Sequence, residues 1–195
     1  MKVEEFNFDV IVVGGGPAGS SAARMAAKNG CTVALIEKEK EIAETVRTSG
    51  VTWISDIKEF GIPEDCYNPI KKFSFCSPNN SVVISDEVAK AAVLDVRKTY
   101  RFLAKRAEEV GAKVFVNTNV TEVLKNSDNK CVGVIAKTQD KQIQFNGKVI
   151  IDASGFASIV AKELGYVKQW KKFGVGAEFE VKVEKLERDN WWLMV

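Results

Sequence analysis

The feature that most constrains this sequence is a continuous β-branched run, Val10-Ile11-Val12-Val13, followed at once by Gly14-x-Gly16-x-x-Gly19. An apolar run without alternation predicts a strand buried on both faces, as in a parallel sheet, here over Phe8–Val13. Pro17 suits the first turn of a helix, where a missing N–H costs little, and Gly30 suits its end, so a helix is expected over Pro17–Asn29. Thr32–Glu37 reads as a second strand, which makes the first half of a βαβ unit. Between them, Gly14 permits the tight turn, and Gly16 lets a diphosphate reach the backbone with no Cβ in the way. Gly19 permits close packing of helix on sheet. The free N–H groups and the positive end of the helix then face the anion. Glu37 stands 18 residues past Gly19, where a carboxylate can accept hydrogen bonds from both hydroxyls of an adenosine ribose and repel a 2′-phosphate. Ser20 follows Gly19 where a Walker-type phosphate loop needs Lys, which excludes that alternative.

Downstream, a short helix is expected near Glu39–Val46, inside a long excursion that carries strands over Lys72–Cys76 and Ser81–Ser85. Val96, Tyr100, Leu103, Ala107 and Val110 recur at helical steps, so a long helix is expected over Leu94–Val110, ended by Gly111. Lys113–Asn117 reads as a third parallel strand. Val120–Leu124, Cys131–Lys137 and Gln142–Phe145, separated by polar turns, read as a β-meander. A buried strand over Lys148–Ile151 leads into Asp152-Ala153-Ser154-Gly155 and a short helix over Phe156–Leu164. Val175 to Val183 alternates apolar and polar residues, the sign of an antiparallel strand with one wet face. The apolar run Trp191–Val195 follows it. One strand makes no sheet, so the sequence reads as truncated.

Composition removes several functional classes. The 195 residues suffice for one large domain or two small ones. Lys+Arg 28 against Asp+Glu 26 leaves a net charge of +2, which gives no electrostatic case for nucleic acid as a partner. With no His, the chain contains no Ser-His-Asp triad, no Cys-His pair and no His-ligated zinc, and no metal is expected. Cys31, Cys66, Cys76 and Cys131 form no CxxC pair; they read as free thiols in a reducing cytosol, with a Cys66–Cys76 redox pair as the alternative. The N-terminus carries Glu4, Glu5 and Asp9 rather than a cationic leader, and glycines, Pro17 and Arg24 interrupt the stretch Val10–Ala27, a poor membrane span.

Gly14-Gly15-Gly16-Pro17-Ala18-Gly19-Ser20-Ser21-Ala22-Ala23, with Glu37-Lys38, resembles the FAD-binding start of the para-hydroxybenzoate hydroxylase-like flavoproteins. The excursion before the third strand, the meander and the segment Asp152-Ala153-Ser154-Gly155 match that family's layout. Within it the chain is similar to the geranylgeranyl reductase family, archaeal type, through Arg47-Thr48-Ser49-Gly50, Leu94-Asp95-Val96-Arg97 and Asp152 to Ser158. The resemblance implies an α/β fold: a Rossmann-like FAD-binding domain with parallel sheet and meander over 1–70 and 86–166. The beginning of an antiparallel substrate-domain sheet would lie over 71–85 and 167–195.

The resemblance also implies site residues. Gly14, Gly16, Pro17, Ala18 and Gly19 would hold the pyrophosphate, and Glu37 with Lys38 the ribose. Thr48, Ser49 and Gly50 would line the flavin side, and Arg47 would stand near the diphosphate. Arg97 would reach the phosphates, Val120 would offer backbone near the adenine, and Asp152 and Gly155 would support the diphosphate region. Ser49 stands where some reductases of this family carry Cys. The family's later Gly-Asp fingerprint and its Tyr-x-Trp-x-Phe-Pro substrate motif are not in the chain and would lie beyond Val195, in a flavoenzyme of roughly 400 residues. The implied activity is reduction of isoprenoid double bonds of a geranylgeranyl lipid by flavin hydride transfer, with NAD(P)H or a reduced electron carrier as donor. Trp191, Trp192 and Leu193 would start an apolar tunnel wall or face an ordinary core. The catalytic residues are not assigned. The implied location is cytoplasmic, with peripheral membrane contact following from the lipid substrate. Two alternatives stand beside this: an FAD-dependent monooxygenase or halogenase of the same fold, and a non-catalytic dinucleotide-binding fragment.

Overall fold

The computed structural model describes residues 4–168, 171–177, 179 and 181–194. In chain order the strands are β1 (Glu4–Val13), β2 (Val33–Ile36), β3 (Val51–Trp53), β4 (Tyr67–Ile70), β5 (Lys72–Cys76), β6 (Ser81–Ser85), β7 (Ala91–Leu94), β8 (Lys113–Phe115), β9 (Asn119–Lys125), β10 (Cys131–Lys137), β11 (Gln142–Asp152) and β12 (Asn190–Met194). The helices are α1 (Pro17–Lys28), α2 (Ile54–Phe60), α3 (Val96–Glu109) and α4 (Ile159–Glu163). Two compact units result, Met1–Thr45 with Tyr100–Gly174, and Val46–Thr99 with Val175–Val195. The division falls inside α3, whereas the expected domain boundaries bracketed only 71–85 and 167–195.

The first unit holds a six-stranded sheet in the order β8-β2-β1-β11-β10-β9. The first four strands run parallel, and β11, β10 and β9 pair antiparallel as the meander. The unbroken run in β1 buries both faces, as its pattern predicts. Ile11 and Val13 join Ala34, Ile36, Val134 and Phe145 on one side; Val10 and Val12 join Ala23, Ala27, Leu35 and Ala107 on the other. The small residues Ala23 and Ala27, one helical turn apart, bring α1 close to the strands.

Several elements differ from expectation for identifiable reasons. The third meander strand and the buried strand expected over Lys148–Ile151 are one strand, β11, in which Lys148 and Val149 are exposed. Its N-terminal half finds a partner because β1 starts at Glu4, and pairing runs from Glu4 opposite Ile143 to Val13 opposite Asp152. No helix forms over 39–46. The Lys40 and Thr45 N–H groups go to the Glu44 and Glu39 carboxylates rather than to carbonyls one turn back, and Ala43 sits at φ +59°. The long helix begins at Val96, because Leu94 ends strand β7. The helix expected over Phe156–Leu164 is a 3₁₀ turn, Gly155–Ala157, followed by α4, broken at Ser158 with φ +44°.

In the second unit β3, β7 and β4 form an antiparallel sheet, and β5 forms an antiparallel hairpin with β6. The Trp191–Val195 run supplies β12, which pairs parallel to β5; Val195 lies outside the described residues. The strand expected over 175–183 includes Glu178 and Glu180, also outside the described residues. The described positions carry no strand: Val175, Phe179 and Val181 are strongly exposed, and their alternation has no partner to pair with. All four cysteines are free thiols. Among the described residues no helix is long and apolar enough to cross a membrane.

Candidate functional site

The glycine turn is built by three different constraints. Gly14 adopts φ +108°, and its N–H donates to Ile36 O at 2.8 Å, tying the end of β1 to β2. A Cβ on Gly14 would overlap the Ala153 carbonyl, and one on Gly19 would overlap the Gly14 carbonyl oxygen. Both positions are therefore glycine because the turn is packed. Gly16 is different. Its backbone is ordinary, φ −69° and ψ −176°, and nothing lies within 4 Å of the place a Cβ would occupy. Space stands open in front of the backbone there.

That space faces the start of α1. Pro17 has no N–H to offer, and the Ser20 N–H closes the first turn onto Gly16 O at 2.9 Å. The Ala18 and Gly19 N–H groups precede any helical acceptor. No side chain caps this end and no acid lies in the first turn. The positive end of a twelve-residue helix, with Pro17 and Ala18 exposed, therefore looks onto an open cradle. The residues fit a diphosphate: backbone donors, dipole and room coincide at Gly16.

Glu37 is half-buried beside this cradle. Its Oε2 accepts the Gly15 N–H at 2.7 Å and its Oε1 accepts the Glu39 N–H at 2.9 Å. Each oxygen keeps a second lone pair for a further donor. The main chain of Glu37 is held in turn by Phe115 O at 2.8 Å and by the Thr118 N–H at 2.9 Å. Lys38, next along, is exposed.

Asp152 ends β11 on the other side of the turn. Burial alone would raise its carboxyl pKa. Hydrogen bonds from the Ser154 hydroxyl and from the Ala161, Ser154 and Val160 N–H groups outweigh burial and hold it below the ordinary value. Asp152 Oδ1 accepts from Ser154 Oγ at 2.6 Å, and Oδ2 accepts from the Ala161 N–H at 2.8 Å. These bonds are internal to the 152–161 segment, which presents Ala153 to Gly14 and Gly19. Asp152 thus shapes the wall of the cradle. Gly155, at φ +65°, is exposed in the following turn. The Val120 side chain is buried in the core beside Ile11 and Val134, which leaves only its main chain for any ligand.

Arg47, Thr48, Ser49, Gly50 and Arg97 fall in the second unit. Gly50 adopts φ +76°, its carbonyl accepts the Leu94 N–H at 3.0 Å, and a Cβ there would crowd Leu94 O and Val96. The Thr48 hydroxyl accepts the Gly50 N–H at 3.3 Å. Arg47, Thr48, Ser49 and Arg97 are exposed, Arg97 in the first turn of α3. The structure thus gathers Gly14, Gly16, Pro17, Ala18, Gly19, Glu37 and Asp152 around one turn of the first unit; the second group belongs to the other unit.

Sequence reasoning missed four residues that shape the turn. Ser20, fully buried, donates its hydroxyl to Gly15 O at 3.2 Å. Thr118 is buried against the end of β2. Ile42 packs where a Cβ on Gly15 would stand, and Arg101 bonds the loop that carries Ile42. The one signal available was that Arg101 follows Arg97 by four positions on the same helix.

A family model described as FAD dependent oxidoreductase matches residues 9–166. The chain is 35% identical over 189 residues to a digeranylgeranylglycerophospholipid reductase of Methanocaldococcus jannaschii, covering 93% of this chain and 47% of that protein. It is 33% identical over 178 residues to an uncharacterized protein in the nifH2 5′ region of Methanosarcina barkeri, covering 84% of this chain and 90% of that protein. Among solved structures, a geranylgeranyl bacteriochlorophyll reductase-like protein of Thermoplasma acidophilum superposes with a TM-score of 0.79 at 26% identity, covering 98% of this chain and 51% of the other. The chain spans about half the length of the curated reductases it matches.

Proposed function

The chain belongs to the FAD-dependent oxidoreductases, and from that premise we propose that it binds FAD at the Gly14–Gly19 turn and serves an enzyme that reduces isoprenoid double bonds of a geranylgeranyl lipid. The observation that carries the reading is the open cradle at Gly16, faced by the uncapped start of α1 and flanked by the Glu37 carboxylate. In this reading the Ala18 and Gly19 N–H groups take the diphosphate and Glu37 takes the adenosine ribose. Lys38, the Val120 main chain and the 152–155 segment flank them. Thr48, Ser49 and Gly50 serve the flavin side, and Arg97 and Arg47 the phosphates. When bound, FAD supplies the hydride chemistry. The residues of this chain bind, orient and exclude water, which suits a chain with no His. The names of the similar reductases support a prenyl-lipid substrate. NAD(P)H or a reduced electron carrier is the proposed donor, and the lipid implies contact with a membrane surface.

The test has two stages. Purified protein is titrated with FAD and inspected for flavin absorbance, and a saturable yellow complex is expected. The protein with reduced flavin is then incubated with a geranylgeranyl phospholipid, and the lipid is expected to gain two hydrogens per reduced bond by mass spectrometry. A colourless protein that captures NAD instead overturns the cofactor assignment. A flavin complex that leaves the lipid untouched overturns the substrate.

A further inference from the structure

The loop after Glu37 is held to the first unit by a side chain that neither the glycine pattern nor the resemblance singles out. Arg101 projects from α3 and donates twice to this loop. Its Nε donates to Ile42 O at 3.2 Å, and its terminal nitrogen donates to Glu41 Oε1 at 2.5 Å. The loop is also held by the Asn117 N–H to Glu39 O at 2.6 Å, the Glu44 N–H to Glu41 O at 3.3 Å, and the Glu39 and Glu44 carboxylates turned back onto Thr45 and Lys40. Between these, Ile42 is turned inward and is 7% exposed although its neighbour Glu41 is exposed. Its Cδ1 occupies the place where a side chain on Gly15 would begin, and the Glu37 Cβ and Oε2 each lie 3.1 Å from that same point. Ile42 and the Glu37 carboxylate therefore share one face of Gly15.

We propose that Arg101 is a positioning residue for the adenosine end of the FAD site. Through Ile42 O and Glu41 it presses Ile42 against Gly15, and this keeps the Glu37 carboxylate on the Gly15 N–H with its second lone pairs presented outward. The proposal rests on the reading of this turn as an FAD site. The planar fork serves both contacts, because one guanidinium reaches a carbonyl and a carboxylate together, while an ammonium is a single point charge. The pair is partly exposed, with side-chain exposures of 47% and 58%, so its effect is modest.

The experiment measures affinity of the full chain for FAD and for ADP, which carries the adenosine and diphosphate but no flavin, together with hydrogen exchange of the nucleotide-free protein. Arg101→Ala is expected to weaken both ligands by about fivefold. It is also expected to speed exchange at the Lys40 and Thr45 amides while leaving β1 and α1 unchanged. Arg101→Lys should recover only part of the affinity. Glu41→Gln should show the same direction, and adding it to Arg101→Ala should cost less than it does in the wild-type background. Glu41→Gln carries the test if Arg101→Ala does not fold. Unchanged ADP affinity in a variant whose loop amides exchange faster overturns the proposal, as does unchanged exchange in the loop. Wild-type protein that binds neither FAD nor ADP overturns the cofactor reading and this proposal together, whereas wild type and variants binding alike overturns this proposal alone.

Discussion

The Glu37 carboxylate accepts the Gly15 N–H at 2.7 Å, joining the end of β2 to the middle of the glycine turn across 22 residues. One side chain therefore bonds the glycine turn and the loop that follows β2. Glu37→Arg removes both acceptors and sets a cation on the side proposed for the ribose. FAD affinity is expected to fall by about tenfold or more, as for loss of a hydrogen bond to a charged group. Titration by flavin fluorescence measures it; unaltered affinity would take Glu37 out of the site.

Two glycines of the same motif should separate binding from folding. Gly16 has ordinary dihedrals and empty space around its missing Cβ, so Gly16→Val should leave the melting temperature close to wild type while blocking FAD. At Gly19 a Cβ meets the Gly14 carbonyl, a backbone group that cannot swing away. Gly19→Ala should destabilise the fold at the upper end of the ~1–3 kcal/mol typical of overpacking. Thermal melts paired with FAD titrations read both, and the reverse pattern would mean that the open side of the turn is wrongly assigned.

Asp152 carries a predicted pH dependence. Its carboxyl is held below the usual value in the folded chain, so the unfolded chain binds a proton more readily. The stabilisation is then fully present above the unfolded pKa of about 3.9, and is lost as pH falls from there through the folded pKa. Asp152→Asn should lower the urea midpoint at neutral pH and converge on wild type in acid below that window. A constant gap between the two proteins across the whole range would exclude the carboxylate as the cause.

Phe145 is fully buried, with the rings of Phe115 at 5.0 Å and Phe6 at 5.7 Å. Phe145→Ala should cost about 3–5 kcal/mol, the range for deleting a core aromatic side chain. Urea denaturation followed by tryptophan-independent circular dichroism reports it. A loss under about 1 kcal/mol would indicate that the three-phenylalanine contact is not formed in solution.

β1, β2, β8, α1, the two strands of the β5–β6 hairpin and the β9–β10 pair were legible because each rests on a local rule. Val10–Val13 is β-branched and unbroken, and the α3 face repeats at helical steps. The Gly14-x-Gly16-x-x-Gly19 spacing between a strand and a helix marks the turn from the sequence alone. Glu39–Val46 was illegible for the opposite reason. Its composition permits a helix, but its carboxylates close the loop onto itself and Arg101, 59 positions from Ile42, takes a carbonyl from it. Ala91–Leu94 was hidden because a short apolar run beside a helix shows no period of its own.

The sequence by itself determined that a parallel α/β unit opens the chain, that a glycine turn joins its first strand to its helix, and that an acid ends the second strand. Those features depend on backbone sterics and side-chain period, which neighbouring residues settle among themselves. Only the tertiary structure decided that β1 and β11 pair as single long strands, that Gly16 faces open space while Gly14 and Gly19 are packed, and that Ile42 closes one side of Gly15. Each of these is a contact between residues far apart in the chain, and whether a Cβ has room depends on which distant atoms the fold brings there.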